Sequence, residues 1–192
     1  EKIVQTLINV YLGPEDVLVR RRALEALGYA SHSDVPGFIQ TAYDTNDEEW
    51  LQSALFAMGR TCNRRWANSI LRMFNHPDPE VRYEAVRAAG ELEIEDAREN
   101  LFDLLEEGTD DDEMYYAAIW SLTKIGGSGV RELIEDALDE TDDAEELNFL
   151  EEALENLNFT EQVQHFDLMS FDEDEFNDLF DDDVEPWSMD DK

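Results

Sequence analysis

The chain repeats itself about every 32 residues. Ala26-Leu27, Ala57-Met58, Ala88-Ala89, Ser121-Leu122 and Ala153-Leu154 hold the same place in five successive segments, at steps of 31, 31, 33 and 32 residues. Around each anchor the apolar residues recur at helical spacing. A period of this length with that spacing specifies stacked helical hairpins, none of which can bury its apolar face alone. It constrains the architecture strongly and names no ligand.

Each segment reads as two helices joined by a turn. The first helices open at Asp16, Asp47, Asp78, the run Asp110-Asp111-Asp112 and Asp142-Asp143. Aspartate there can accept a hydrogen bond from a free first-turn N–H. A small residue recurs three positions before the anchor, as Ala23, Ala54, Ala85 and Ala118, and lets helices approach closely. In the fifth segment it becomes Leu150, and the next position is Glu151. That more polar face predicts the end of the array. A helix over 3–12, stopped by Gly13-Pro14, has no partner within this frame, and a weak last helix is expected around Val163. The expected organisation is a capping or orphan helix at 1–13, a solenoid at 14–171 and an acidic, disordered tail at 172–192.

The stretches "ALEALGYA", "ALFAMGRT", "AVRAAGEL" and "AIWSLTKIGG" resemble the HEAT-repeat family, above all the short variety seen in phycobilin lyases and many prokaryotic scaffolds. Residues 78–92, "DPEVRYEAVRAAGEL", carry the likeness best, and it extends over roughly 14–160. The resemblance implies an all-α, right-handed solenoid of about five hairpins, armadillo-like in its helical stacking, with second helices lining the concave face. It also implies that Arg20 and Arg82 pair with aspartates in the turns between repeats.

The net charge of −35 is unevenly spread. Residues 1–98 hold 11 Lys/Arg against 16 Asp/Glu, and residues 99–192 hold 3 against 33. Such a field repels nucleic acid and anionic membranes and favours a basic partner. Salt adaptation is the alternative source of an acidic, Lys-poor surface, but it should spread the charge evenly. Cys62 is the only cysteine, which fits a reducing, cytoplasmic setting. No apolar run reaches membrane-spanning length. The start, Glu1-Lys2-Ile3, lacks the features of a signal peptide.

No catalytic, cofactor or metal constellation stands out. His32, His76 and His165 precede Ser33, Pro77 and Phe166, unlike the His-Glu pairs that hold two irons in helical-repeat hydroxylases. Gly126, Gly127 and Gly129 lack the Lys-Ser/Thr of a phosphate loop. The run from Asp44 fails as a calcium loop, with Glu49 where Gly is required and Leu55 where Glu is required. Trp50 and Trp66 fall on apolar periodic positions and read as core.

The residues therefore point to a non-catalytic protein-interaction scaffold that engages a basic protein partner. Candidate contacts are Arg64, Arg72, Glu99, Asp103, Glu106, Glu135 and Asp136 on the second helices. In the tail, Phe176, Leu179 and Phe180 form an amphipathic i, i+3, i+4 set suited to an apolar groove. Docking of the tail on the Arg-bearing repeats, through Arg64, Arg65 and Arg72 as an anion-binding surface, is a further expectation. A bilin lyase or isomerase, suggested by the look-alike family, and a module of a larger repeat protein are the alternatives.

Overall fold

The computed structural model describes residues 2–108 and 111–168. Phe176, Leu179, Phe180 and the rest of 172–192 lie outside the described residues. The described chain is helical, with no strand. Its helices are α1 (Lys2–Leu12), α2 (Val17–Leu27), α3 (Val35–Tyr43), α4 (Glu48–Arg60), α5 (Ala67–Leu71), α6 (Pro79–Glu91), α7 (Arg98–Glu107), α8 (Asp112–Ile125), α9 (Val130–Glu140) and α10 (Ala144–Leu168). Short 3-10 turns at Arg64–Trp66 and Glu95–Ala97 lead into α5 and α7.

Aspartates start the helices as their spacing predicts. Asp16 accepts from the Leu18 N–H, Asp47 from Trp50, Asp78 from Val81 and Asp111 from Glu113. Each such cap contributes about 1 kcal/mol. Asp143 receives the N–H groups of Glu145 and Glu146. Among the described residues, neither Arg20 nor Arg82 pairs with a turn aspartate. Arg20 donates to the Tyr11 carbonyl, and Arg82 to the carbonyls of His76 and Pro77, because the turns present unsatisfied carbonyls there while their aspartates are occupied as caps.

The even-numbered helices form one row, α2 on α4 on α6 on α8 on α10. The repeated small residues are what bring them together. Ala54, Ala85 and Ala118 are fully buried. The glycine after each of the first three anchors faces the next anchor. A Cβ on Gly28 would stand 2.8 Å from the Ala57 carbonyl oxygen, one on Gly59 3.2 Å from the Ala88 Cα, and one on Gly90 2.7 Å from the Ser121 Cα. The odd-numbered helices, richer in Ile, Leu and Phe, pack on the even helix that follows them, and none packs extensively on the next odd helix. The row of shorter spacing lies on the inside of a bend, so the even helices form the inner row and the odd helices a splayed outer row.

These contacts shift the hairpin frame by one helix. α1 packs along α2, and α3, α5, α7 and α9 pack more on the following helix than on the preceding one. Five hairpins result, α1/α2 through α9/α10, and α1 has a partner. The inner row is then the second helix of each hairpin. The last helix also differs from expectation: α10 runs unbroken over 25 residues, because nothing between Leu154 and Gln164 is Gly or Pro. Its inward residues Leu150, Ala153 and Leu157 are buried, while Glu151, Glu152 and Glu155 are exposed. The opposite end leaves Ile3, Leu12, Val19 and Ala26 exposed.

Two glycines should respond with opposite sign to alanine. Gly90→Ala forces Ser121 back and should cost about 1–3 kcal/mol by overpacking, more than the helix-propensity gain. Gly37→Ala in α3 meets nothing within 4 Å and should stabilise by about 0.5–1 kcal/mol. Thermal unfolding of the two variants checks this; a Gly90→Ala protein as stable as Gly37→Ala would contradict the close approach.

Candidate protein-interaction site

Because the outer helices stand apart, gaps open between them, floored by the inner row. The gap between α7 and α9 is a groove of about 340 Å³. Leu105 and Glu106 of α7 form one wall, Leu133, Asp136, Ala137 and Glu140 of α9 the other, and Tyr115 and Ile119 of α8 the floor. Apolar side chains line the bottom, and Glu106, Asp136 and Glu140 stand exposed at the rim. None of the three carboxylates pairs with a cation among the described residues. The Tyr115 hydroxyl bonds Glu146, which also accepts from Thr141 Oγ1 at 2.6 Å. Burial, then the Glu146 carboxylate, raises the Tyr115 phenol far above its ordinary range, so it remains a neutral donor.

The structure brings two of the sequence candidates, Glu106 and Asp136, into this groove. Glu99 and Asp103 lie on the other side of α7, in a shallower hollow with Glu95, Asp96 and Phe102. Glu135 reaches Arg131 at 3.8 Å. Arg64, Arg65 and Arg72 each have a local partner. Arg64 points to Glu93 at 3.8 Å, Arg65 stacks on Trp66 at 4.7 Å, and Arg72 donates to Ser69 Oγ at 3.3 Å.

Sequence reasoning overlooked the inner row's exposed side. There the residue after each glycine makes a ladder. Arg60 stacks over Tyr29 at 5.6 Å and pairs with Glu91 at 2.8 Å, and the other Glu91 oxygen takes Lys124 at 2.7 Å. At the N-terminal end Arg21 donates to Ser53, which donates to Glu25 at 2.7 Å, and Arg22 pairs with Glu25 at 2.6 Å. Aromatic residues run alongside: Phe56 on α4, Tyr83 on α6, Tyr116 and Trp120 on α8, Phe149 on α10. Tyr83, Tyr116 and Phe149 are spaced by 33 residues each, and this recurrence was the available signal. A cavity of about 460 Å³ opens between Tyr83 and Arg87 on α6 and Tyr116 and Trp120 on α8. The histidines serve turns: the Nδ1 atoms of His32 and His76 accept from Asp34 and Asp78 N–H. Among the described residues, no group of three His, Cys, Asp or Glu side chains could hold a metal ion. No described helix is long and apolar enough to cross a membrane.

Residues 67–155 match the family model of HEAT repeats. That stretch is built of HEAT repeats. The match opens at the first residue of α5 and ends within α10, in step with the hairpin frame α5/α6, α7/α8 and α9/α10. It identifies HEAT repeats as such and does not extend to the phycobilin-lyase variety. No curated protein matches the sequence significantly. HEAT repeats generally act as protein-interaction scaffolds, and a groove between helices is the form of site such a scaffold offers.

One carboxyl on the inner face of the array provides a test of its electrostatics. Glu84 pairs with Arg87 at 3.2 Å, yet burial raises its pKa against that attraction, and Glu25 adds to the rise. A carboxyl raised on folding favours the protonated form. Its stabilising share is present at low pH and lost as pH rises through the folded value. Glu84→Gln, which mimics the protonated form, should therefore be at least as stable as the parent at pH about 7, and the gap should close below the ordinary glutamate range. Thermal melts across pH check this; a clear loss of stability at neutral pH would show that the ion pair outweighs burial.

Proposed function

We propose that this protein is a non-catalytic scaffold whose acidic C-terminal repeats dock a basic, amphipathic segment of a partner protein. The observation that carries this reading is the α7/α9 groove, with its apolar floor and its rim of unpaired carboxylates. α7 and α9 together carry nine Asp/Glu and only Arg98 and Arg131. Both arginines are occupied: Arg98 donates to the Gly126 carbonyl, and Arg131 pairs with Glu161. Long-range attraction would steer a cationic segment to this side, and its apolar residues would then settle on Tyr115, Ile119 and Leu133. The same field disfavours nucleic acid and anionic lipid. The exposed free thiol of Cys62 supports a cytoplasmic setting, where thiols stay reduced.

A labelled synthetic helix of alternating Leu and Lys faces is a direct probe. Its affinity, read by fluorescence anisotropy, should fall as salt rises from about 50 to about 500 mM. The triple variant E106Q/D136N/E140Q should bind it about tenfold more weakly than the parent. A control with the same charge change on α10, E151Q/E152Q/E155Q, should lose far less. Equal losses in the two variants would reduce the groove to diffuse charge and overturn the reading.

A further inference from the structure

Along the inner row, the aromatic residues of the N-terminal repeats already carry arginines of this chain. Arg60 lies 5.2 Å from Phe56, and Arg87 lies 5.9 Å from Phe56 and 5.6 Å from Tyr83. Cation over ring is thus the standing arrangement of this surface. The arrangement stops at α8. Tyr116, Trp120 and Phe149 form a cluster, with ring centres 4.5 Å apart for Tyr116 and Phe149 and 6.3 Å for Trp120 and Phe149. No Lys or Arg stands over any of the three among the described residues.

The reason lies in the sequence. The position held by Arg87 on α6 is held by Trp120 on α8, 33 residues later. α8 has one cation, Lys124, and Glu91 holds it; α10 has no Lys or Arg at all. The rings are only partly buried, unlike the core Trp66. Carboxylates surround them. Glu113 lines the same cavity as Tyr116 and Trp120, and Glu146, Asp112, Asp143 and Glu145 act on the Tyr116 hydroxyl. Arg87 and Lys124 line that cavity too, but they are paired with Glu84 and Glu91; partly exposed rings beside carboxylates without a cation are complementary to a further one. A planar, weakly hydrated guanidinium fits better than an ammonium.

We infer that Tyr116, Trp120 and Phe149 form a receiving site for an arginine side chain of a partner protein, with Glu113, which lines the same cavity, as a counter-charge. The inference rests on the reading that the partner is basic, but the site is separate. α8 turns Tyr115 and Ile119 to the outer groove and Tyr116 and Trp120 to the inner face.

The test uses the full chain labelled with ¹⁵N and three Gly/Ser peptides that differ at one central residue: arginine, lysine or citrulline. The arginine peptide should shift the Trp120 indole N–H resonance saturably, and its own Cδ protons should move upfield under the ring currents. The lysine peptide should bind about fivefold more weakly, and the citrulline peptide should leave Trp120 in place. Phe149→Leu, a substitution of modest volume change, should abolish the upfield shift. E106Q/D136N/E140Q should leave it intact, even if the outer groove proves inert. Equal shifts from the arginine and lysine peptides would reduce the effect to charge and overturn the inference. So would an arginine peptide that leaves Trp120 unmoved, a result that needs no variant to fold.

Discussion

Everything in this protein depends on how closely the even-numbered helices approach each other. Gly28, Gly59 and Gly90 set their backbones against Ala57, Ala88 and Ser121, so that a single added methyl would have no room at Gly28 and Gly90 and would be tight at Gly59. The contact is short because both partners are small, and it recurs because the repeat returns a small residue to each meeting point. Where the glycine position becomes Thr123, the stack changes device. The Thr123 hydroxyl is buried and accepts from Asn156 on α10 at 2.7 Å, which replaces close packing with a hydrogen bond. The array therefore closes at α10 by a different interaction from the one that builds it.

The two faces follow from that one spacing. Drawing the even helices together spreads the odd ones, and the gaps between them become grooves floored by the inner row. The acidic residues of α7 and α9 then stand at the edges of a groove and not on a flat surface. On the inner side, adjacent helices are near enough for one carboxylate, Glu91, to hold cations from the helices on both sides, Arg60 and Lys124. Such half-exposed pairs contribute little stability one by one. Their effect is on placement: they commit the local cations and leave the C-terminal rings without any.

Much of this was legible in the sequence, for identifiable reasons. Ala54, Ala85 and Ala118 recur at the packing period, and burial is a direct consequence of periodicity. Asp16, Asp47 and Asp78 were readable as caps because a cap needs only local geometry. The hairpin frame was not readable, since a string of alternating helices looks the same whichever neighbour each one packs against; only tertiary contact pairs α1 with α2. The local partners of Arg64, Arg65 and Arg72 were likewise hidden. Their partners Glu93, Trp66 and Ser69 depend on a 3-10 turn whose exact course the repeat pattern does not specify. Glu106 and Asp136 were candidates on charge and position, while the groove beside them, with Leu105, Tyr115 and Leu133, depends on how α7, α8 and α9 pack.

The inward bend is the claim from which the faces derive, and distances between equivalent positions test it directly. Glu49 and Glu113 occupy matching places on α4 and α8, and Arg72 and Asp136 on the outer row beside α5 and α9; each pair is 64 residues apart. With Cys62 replaced by serine, spin labels at each pair can be compared by double electron–electron resonance. A shorter distance for 49–113 than for 72–136 is the predicted result. Equal distances, or a shorter one on the outer row, would contradict the account.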